Sequence, residues 1–130
     1  YLMNTLNATY TPSRIIVDGN EINAENIPWS PHASFKGVAL KHLLKGESNG
    51  GLASFHLVKV EPGCALLQHT HPGKWELHEV VGGEGTAVLN GQSVHYQPGC
   101  MALIPADAPH EVVAGEQGLL ILAKFFPALI

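Results

Sequence analysis

Positive charge is scarce in this sequence, and that shortage excludes more than any other feature of its composition. Of 130 residues only 14% are charged, with seven Lys and Arg against eleven Asp and Glu, a net charge of −4. Neither sign forms a run of five, so nothing here attracts nucleic acid or an anionic membrane. No arginine follows Arg14, and from Glu61 to Ile130 the only cationic side chains are Lys74 and Lys124. The two cysteines, Cys64 and Cys100, are too few for a disulfide scaffold. No apolar stretch is long enough to span a bilayer, and no signal-peptide pattern stands out, so a cytoplasmic location is expected. Asn7-Ala8-Thr9 fits a glycosylation acceptor, but without secretion that match is idle. Helical periodicity, internal repeats and low-complexity segments are all missing. Gly82, Gly83 and Gly85 do not have the spacing of a phosphate-binding loop and read as a strand-turn-strand bend. No serine sits in a nucleophile elbow.

What the chain does have is 45% hydrophobic residues in short β-rich runs separated by turn signals. Its length predicts one domain, over 14–130, preceded by a polar arm over 1–13. Ile15-Ile16-Val17 and Glu21-Ile22 flank Asp18-Gly19-Asn20, a tight hairpin signal, and Asn90-Gly91 is a second and stronger one. Gly37 to Leu44 and Ala53 to Val60 read as paired strands, Met101 to Ile104 as another, and Leu119 to Phe126 as the last. Pro28 and Pro31 exclude a helix or a central strand around Trp29. The pattern predicts an all-β barrel or sandwich with little or no helix.

The chemistry is concentrated between Gly63 and Gly85. His69 and His71 are two apart, so on a strand both imidazoles point to one side. After a Pro-Gly turn, Glu76, His78 and Val80 share a face of the next run. His110 supplies another imidazole downstream. Three imidazoles and a carboxylate suit a first-row transition metal such as iron, manganese, nickel, copper or zinc.

In these residues the chain resembles a small single-domain cupin of the conserved-barrel type. Gly63, His69, His71, Glu76 and Gly83 match the first motif of that family in full, and Gly99, Pro105, Asp107 and His110 match the second. The departure is Ala114, where the family often has Asn, a position that does not ligate metal. The resemblance implies a jelly-roll β-barrel, a homodimer, and one divalent transition metal, iron or manganese first, held by His69, His71, Glu76 and His110. Glu76 is either the fourth ligand or an uncoordinated base beside the metal, since some sites of the family use three histidines alone.

His78 should look into the barrel near the metal as a proton shuttle, an orienting partner or a plain buried imidazole, and with Glu76 it is the candidate catalytic residue. His32, His42, His56 and His95 are expected to be surface or hydrogen-bonded histidines. Cys64 and Cys100 read as buried thiols, Cys64 facing away from the ligands. Trp75 walls the pocket or packs between strands, and Glu79 faces away. With four protein ligands, a six-coordinate metal keeps two positions for a substrate's oxygens, O2 or water. A pocket for a sugar phosphate or a dicarboxylate usually carries Arg or Lys. Their scarcity lowers isomerases of phosphosugars and oxalate-type decarboxylases, and favours a small, largely apolar substrate such as a diketone, enol or phenol. Dioxygenase chemistry leads, followed by an isomerase or lyase, with a non-catalytic binder or sensor as the alternative class. The 130 residues contain no helix-turn-helix pattern, which lowers a DNA-reading sensor.

Overall fold

Ten strands and two single-turn 3-10 segments make up the structure, a computed structural model that describes residues 11–130. Most of the expected arm over 1–13 lies outside the described residues. β1 (Arg14–Val17) and β2 (Asn20–Asn23) pair antiparallel as the expected hairpin, with Asp18 and Gly19 at φ 47° and 80°. Positive φ at both central residues matches the turn to the twist of the strands. After the 3-10 turn Ala24–Asn26 come β3 (Ser30–Pro31), β4 (Val38–Leu44), β5 (Ser54–Val60), β6 (Ala65–His69), β7 (Trp75–Leu89), β8 (Gln92–Tyr96), β9 (Met101–Ile104) and β10 (His110–Phe126). The proline-bearing β3 lies at a sheet edge, where a missing N–H does no harm.

Two long strands carry the architecture. The sheet runs β3-β4-β5-β10-β7-β8, with β6 also on β10 and β9 also on β7. β10 and β7 pair along their length, so one half of each belongs with β5 and β9 and the other half with β6 and β8. An antiparallel sheet folded on itself in this way is the jelly-roll barrel.

Two expectations change here. Gly82 to Gly85 is no turn: β7 runs unbroken from 75 to 89. Likewise His110–Val113 and Leu119–Phe126 are one strand, bulged between Ala114 and Leu119. The reason is close approach of the two backbones. A Cβ at Gly83, which has φ 73°, would collide with the Gly118 carbonyl, and one at Gly85 with the Val113 carbonyl. Glycine lets two long strands bend together where any side chain would hold them apart.

Alternation along β10 divides the packing. Leu119, Ile121, Ala123 and Phe125 enter the larger core with Val58, Val60, Val80 and Tyr96. Leu122 faces the other way and joins Leu43, Leu57 and Ala24 in a second cluster, roofed by Ile15 and Ile27. Cys64 and Cys100 are free thiols and only half-buried, not fully buried as expected. Both sit in turns at strand ends, against the rim of the larger core.

His56 is fully buried inside the barrel, with Nδ1 2.8 Å from His42 Nδ1 and Nε2 2.8 Å from Ser54 Oγ. Burial first, then His42, pushes its pKa from 6.5 down to about 4. Above pH 6.5 folded and unfolded chains both carry this ring neutral, and it contributes nothing to the pH dependence. Between 6.5 and 4 the unfolded chain takes up a proton that the folded one refuses, so stability falls with pH, by about 3 kcal/mol in all. Urea unfolding of metal-free protein at pH 7 and at pH 4.5 tests this: His56→Gln should lose clearly less stability between the two than the parent does. Equal losses would show that His56 does not carry the effect.

Candidate metal centre

Three segments converge at one end of the barrel. β6 ends at His69, where its partner β10 begins at His110, just after Pro109. His71 therefore stands just beyond the strand, not on it as expected, but the chain stays extended and the two rings remain 4.8 Å apart. Pro72-Gly73 then turns the chain into β7, which presents Glu76, His78 and Val80 on its buried face. His110 opens β10 directly opposite His69. Asp107, at φ 68°, ties the loops together: its Oδ1 accepts from Gly73 N at 3.1 Å, and its own N–H reaches the His71 carbonyl at 3.4 Å.

The imidazoles of His69, His71 and His110 offer nitrogens that lie within 4.8 Å of one another. Their tautomers follow from their partners. His69 Nδ1 is 2.7 Å from the Leu67 carbonyl and His110 Nδ1 is 3.0 Å from the Ala108 carbonyl. A carbonyl only accepts, so both Nδ1 atoms carry the hydrogen and both Nε2 atoms present a lone pair. That is the form a metal needs. Burial lowers the pKa of His69, and that of His71 to about 4, which keeps these rings neutral, with a lone pair to offer, near pH 7.

Glu76 is 5% exposed. Burial alone would raise its carboxyl, but the imidazoles of His78 and His110 outweigh that and hold it below the ordinary carboxylate range. Its Oε2 accepts from His78 Nε2 at 2.9 Å. Its Oε1 lies 3.1 Å from His110 Nε2 and 3.6 Å from His71 Nε2, yet Oε1 and His110 Nε2 are both buried with no hydrogen-bond partner. A carboxylate oxygen and an imidazole lone pair that face one another repel unless a cation stands between them. The donor set thus fits a metal ion. At His110 burial pulls the pKa down, but Glu76 and the Ala108 carbonyl together raise it. A proton and a metal ion would compete for the same lone pair on His110 Nε2.

His78 is buried and stands beside the three imidazoles, with its two nitrogens fully engaged. Because Glu76 only accepts, His78 Nε2 is the N–H, and Nδ1 accepts from the Tyr96 hydroxyl at 2.8 Å. Tyr96 is fully buried, and burial above all raises its pKa, so it remains a phenol that donates. The chain Tyr96 to His78 to Glu76 holds the carboxylate from behind. Tyr96 was not foreseen in the sequence; its place opposite Gly85, at the end of β8 far from the Asn90-Gly91 turn, is the signal that points it inward.

The cavity beside these groups measures about 60 Å³. Its other walls are Leu40, Val58, Leu66, Ile121, Phe125 and Leu129, with one further histidine, His32. No Lys or Arg lines it: Lys124 pairs with Glu79 at 2.8 Å, and Lys74 donates to the Ala128 carbonyl at 2.8 Å. His32 reaches the site from the loop after β3, which the sequence pattern did not indicate. Trp75 is 45% exposed and neither walls the pocket nor packs between strands.

Comparison with known proteins agrees with the geometry. A family model described as a cupin domain matches residues 56–123. An oxalate-binding protein of Thermotoga maritima is 30% identical over 100 residues, covering 75% of this chain and 81% of that protein. The crystal structure of a predicted oxalate decarboxylase from Thermotoga maritima superposes with a TM-score of 0.74 at 27% identity, over 82% of this chain and 97% of the other. The polyketide cyclase RemF of Streptomyces resistomycificus gives 0.72 at 18% identity, over 83% and 78% of the two chains, a likeness of fold alone.

If the converging nitrogens hold an ion, replacing His69 and His71 together with Ala should abolish binding of cobalt(II) or iron(II), read by calorimetry, and leave the β-sheet circular dichroism unchanged. Full occupancy in the double variant would rule the cluster out.

Proposed function

The chain belongs to the cupin family, and from that premise we propose that it is a metal-dependent enzyme acting on a small, oxygen-bearing, largely apolar substrate, with dioxygenase-like chemistry foremost. The observation that carries this is the unpartnered pair Glu76 Oε1 and His110 Nε2, buried at the head of an apolar cavity. In this reading His69, His71, Glu76 and His110 hold one divalent ion, iron or manganese first, with nickel, zinc or copper as alternatives. Such an ion supplies Lewis acidity toward a substrate's oxygens and, where redox-active, access to O2.

The chain's own residues do the rest. The Leu67 and Ala108 carbonyls fix the tautomers of His69 and His110 before anything binds, so little reorganisation is required. Glu76 and His78 are the candidate catalytic pair. His78 keeps Oε2 occupied, leaving Oε1 as the ligand oxygen, and its ring lines the cavity beside the cluster. Leu40, Val58, Ile121 and Phe125 exclude water, so that fixed charges act strongly on the substrate. With no cation on the wall, a multiply charged ligand would have only the metal to balance it.

A second reading is favoured by the 30% identical relative whose name is oxalate-binding protein: a binder, or decarboxylase, of a small dicarboxylate that chelates the metal directly. The size of the cavity suits such a ligand; its lack of cations does not. A homodimer and a cytoplasmic location complete the proposal. The first is supported by an exposed apolar strip of Trp75, Met101, Leu103 and Phe126 across β7, β9 and β10, the second by two free thiols. No helix among the described residues is long and apolar enough to cross a membrane.

Oxygen uptake separates the readings. Protein loaded with iron(II) should consume O2 with small diketones or phenols, at least tenfold above the same protein carrying Glu76→Ala. Release of CO2 from oxalate, or tight oxalate binding without uptake, would replace the dioxygenase reading with the dicarboxylate one.

A further inference from the structure

His32 is the one hydrogen-bonding side chain on the cavity wall that belongs neither to the imidazole–carboxylate cluster nor to the His78 chain. Local structure holds it rigidly. Its backbone N–H donates to the Val38 carbonyl at 2.8 Å, pinning the end of β3 against β4. Its Nδ1 accepts two backbone N–H groups, from Ser34 at 3.0 Å and Phe35 at 3.2 Å. A nitrogen that accepts two bonds carries no hydrogen, so the ring bears it on Nε2, which has no protein partner among the described residues. Phe35 stacks on the ring at 4.6 Å and 20°, and Phe35 in turn touches His69 at a ring separation of 5.6 Å. The side chain is half-buried, as are His69 and His71, while Glu76, His78 and His110 are buried.

We propose that His32 is a substrate-binding residue, donating from Nε2 to an acceptor oxygen of the substrate that is not bound to the metal. This rests on the metal-site reading above and refines it. The substrate class becomes a small chelating compound with a further carbonyl or carboxylate oxygen beyond the chelating pair. A fixed tautomer and a clamped ring give the donor its direction without loss of rotamer freedom on binding. With the rest of the free wall apolar, this single donor sets which way round a ligand enters.

The test compares two probes with the same chelating diketone. Acetylpyruvate keeps a carboxylate beyond it, and acetylacetone has none. Affinities are read from the visible spectrum of cobalt(II)-loaded protein. The variant is His32→Asn, whose side-chain oxygen can accept the Ser34 and Phe35 N–H groups as an Asx turn does but whose amide stops short of the cavity. The parent should prefer acetylpyruvate, and His32→Asn should weaken that probe about tenfold while leaving acetylacetone and cobalt affinity unchanged, as loss of one hydrogen bond to a charged group requires. Unchanged acetylpyruvate affinity in the variant would overturn the proposal. Equal weakening of both probes and of cobalt would assign His32 a structural role and also overturn it. If cobalt binds and neither probe perturbs the parent's spectrum, the role of His32 fails while the metal site stands; if cobalt itself does not bind, the underlying site reading has failed first.

Discussion

A carboxylate buried among imidazole nitrogens is the constraint that the rest of this structure answers to. Left alone, a buried ion of this kind costs several kcal/mol. Glu76 avoids that only because His78 donates to one oxygen and a cation, proton or metal, is called for at the other. The long strands follow from the same need. β7 must bring Glu76 and His78 beneath the barrel mouth, and β10 must place His110 across from His69. Both can do so only by bending where glycines let their backbones touch.

The cavity completes the argument by what it leaves out. Every strong polar group is gathered at its head, and the wall below is hydrocarbon apart from His32. Lys74 and Lys124, the two cations of the second half of the chain, are held elsewhere, on the Ala128 carbonyl and on Glu79. In the proposed reading the site has one place for charge, and His32 gives a ligand its direction. A small chelating molecule satisfies both conditions.

Much of this was legible in the sequence, for identifiable reasons. Period-two alternation and turn residues set the strands, and Asp18-Gly19 and Asn90-Gly91 form the hairpins their positive φ values allow. The spacing of His69, His71, Glu76 and His110 brought those groups together as expected, because two turns and one strand pairing suffice to do it. What could not be read depends on long-range register. The glycine-rich segments look like turns but are bulges, since only the opposing strand reveals how close its backbone comes. His71 looks like a strand residue, but its partner strand begins only at His110, opposite His69, so the ladder ends before it. Tyr96 and His32 carry no motif: one is buried through its pairing with Gly85, the other is brought in by an edge strand and the turn that follows.

The measurement that reaches the central claim most directly is a crystal structure of the metal-loaded protein with anomalous data at the edge of the bound metal. The account expects one strong peak per chain, about 2.0 to 2.3 Å from Nε2 of His69, His71 and His110 and from Glu76 Oε1, with Oε2 still bonded to His78. A peak elsewhere, at the His42 and His56 pair for example, or none at this cluster under saturating metal, would contradict it.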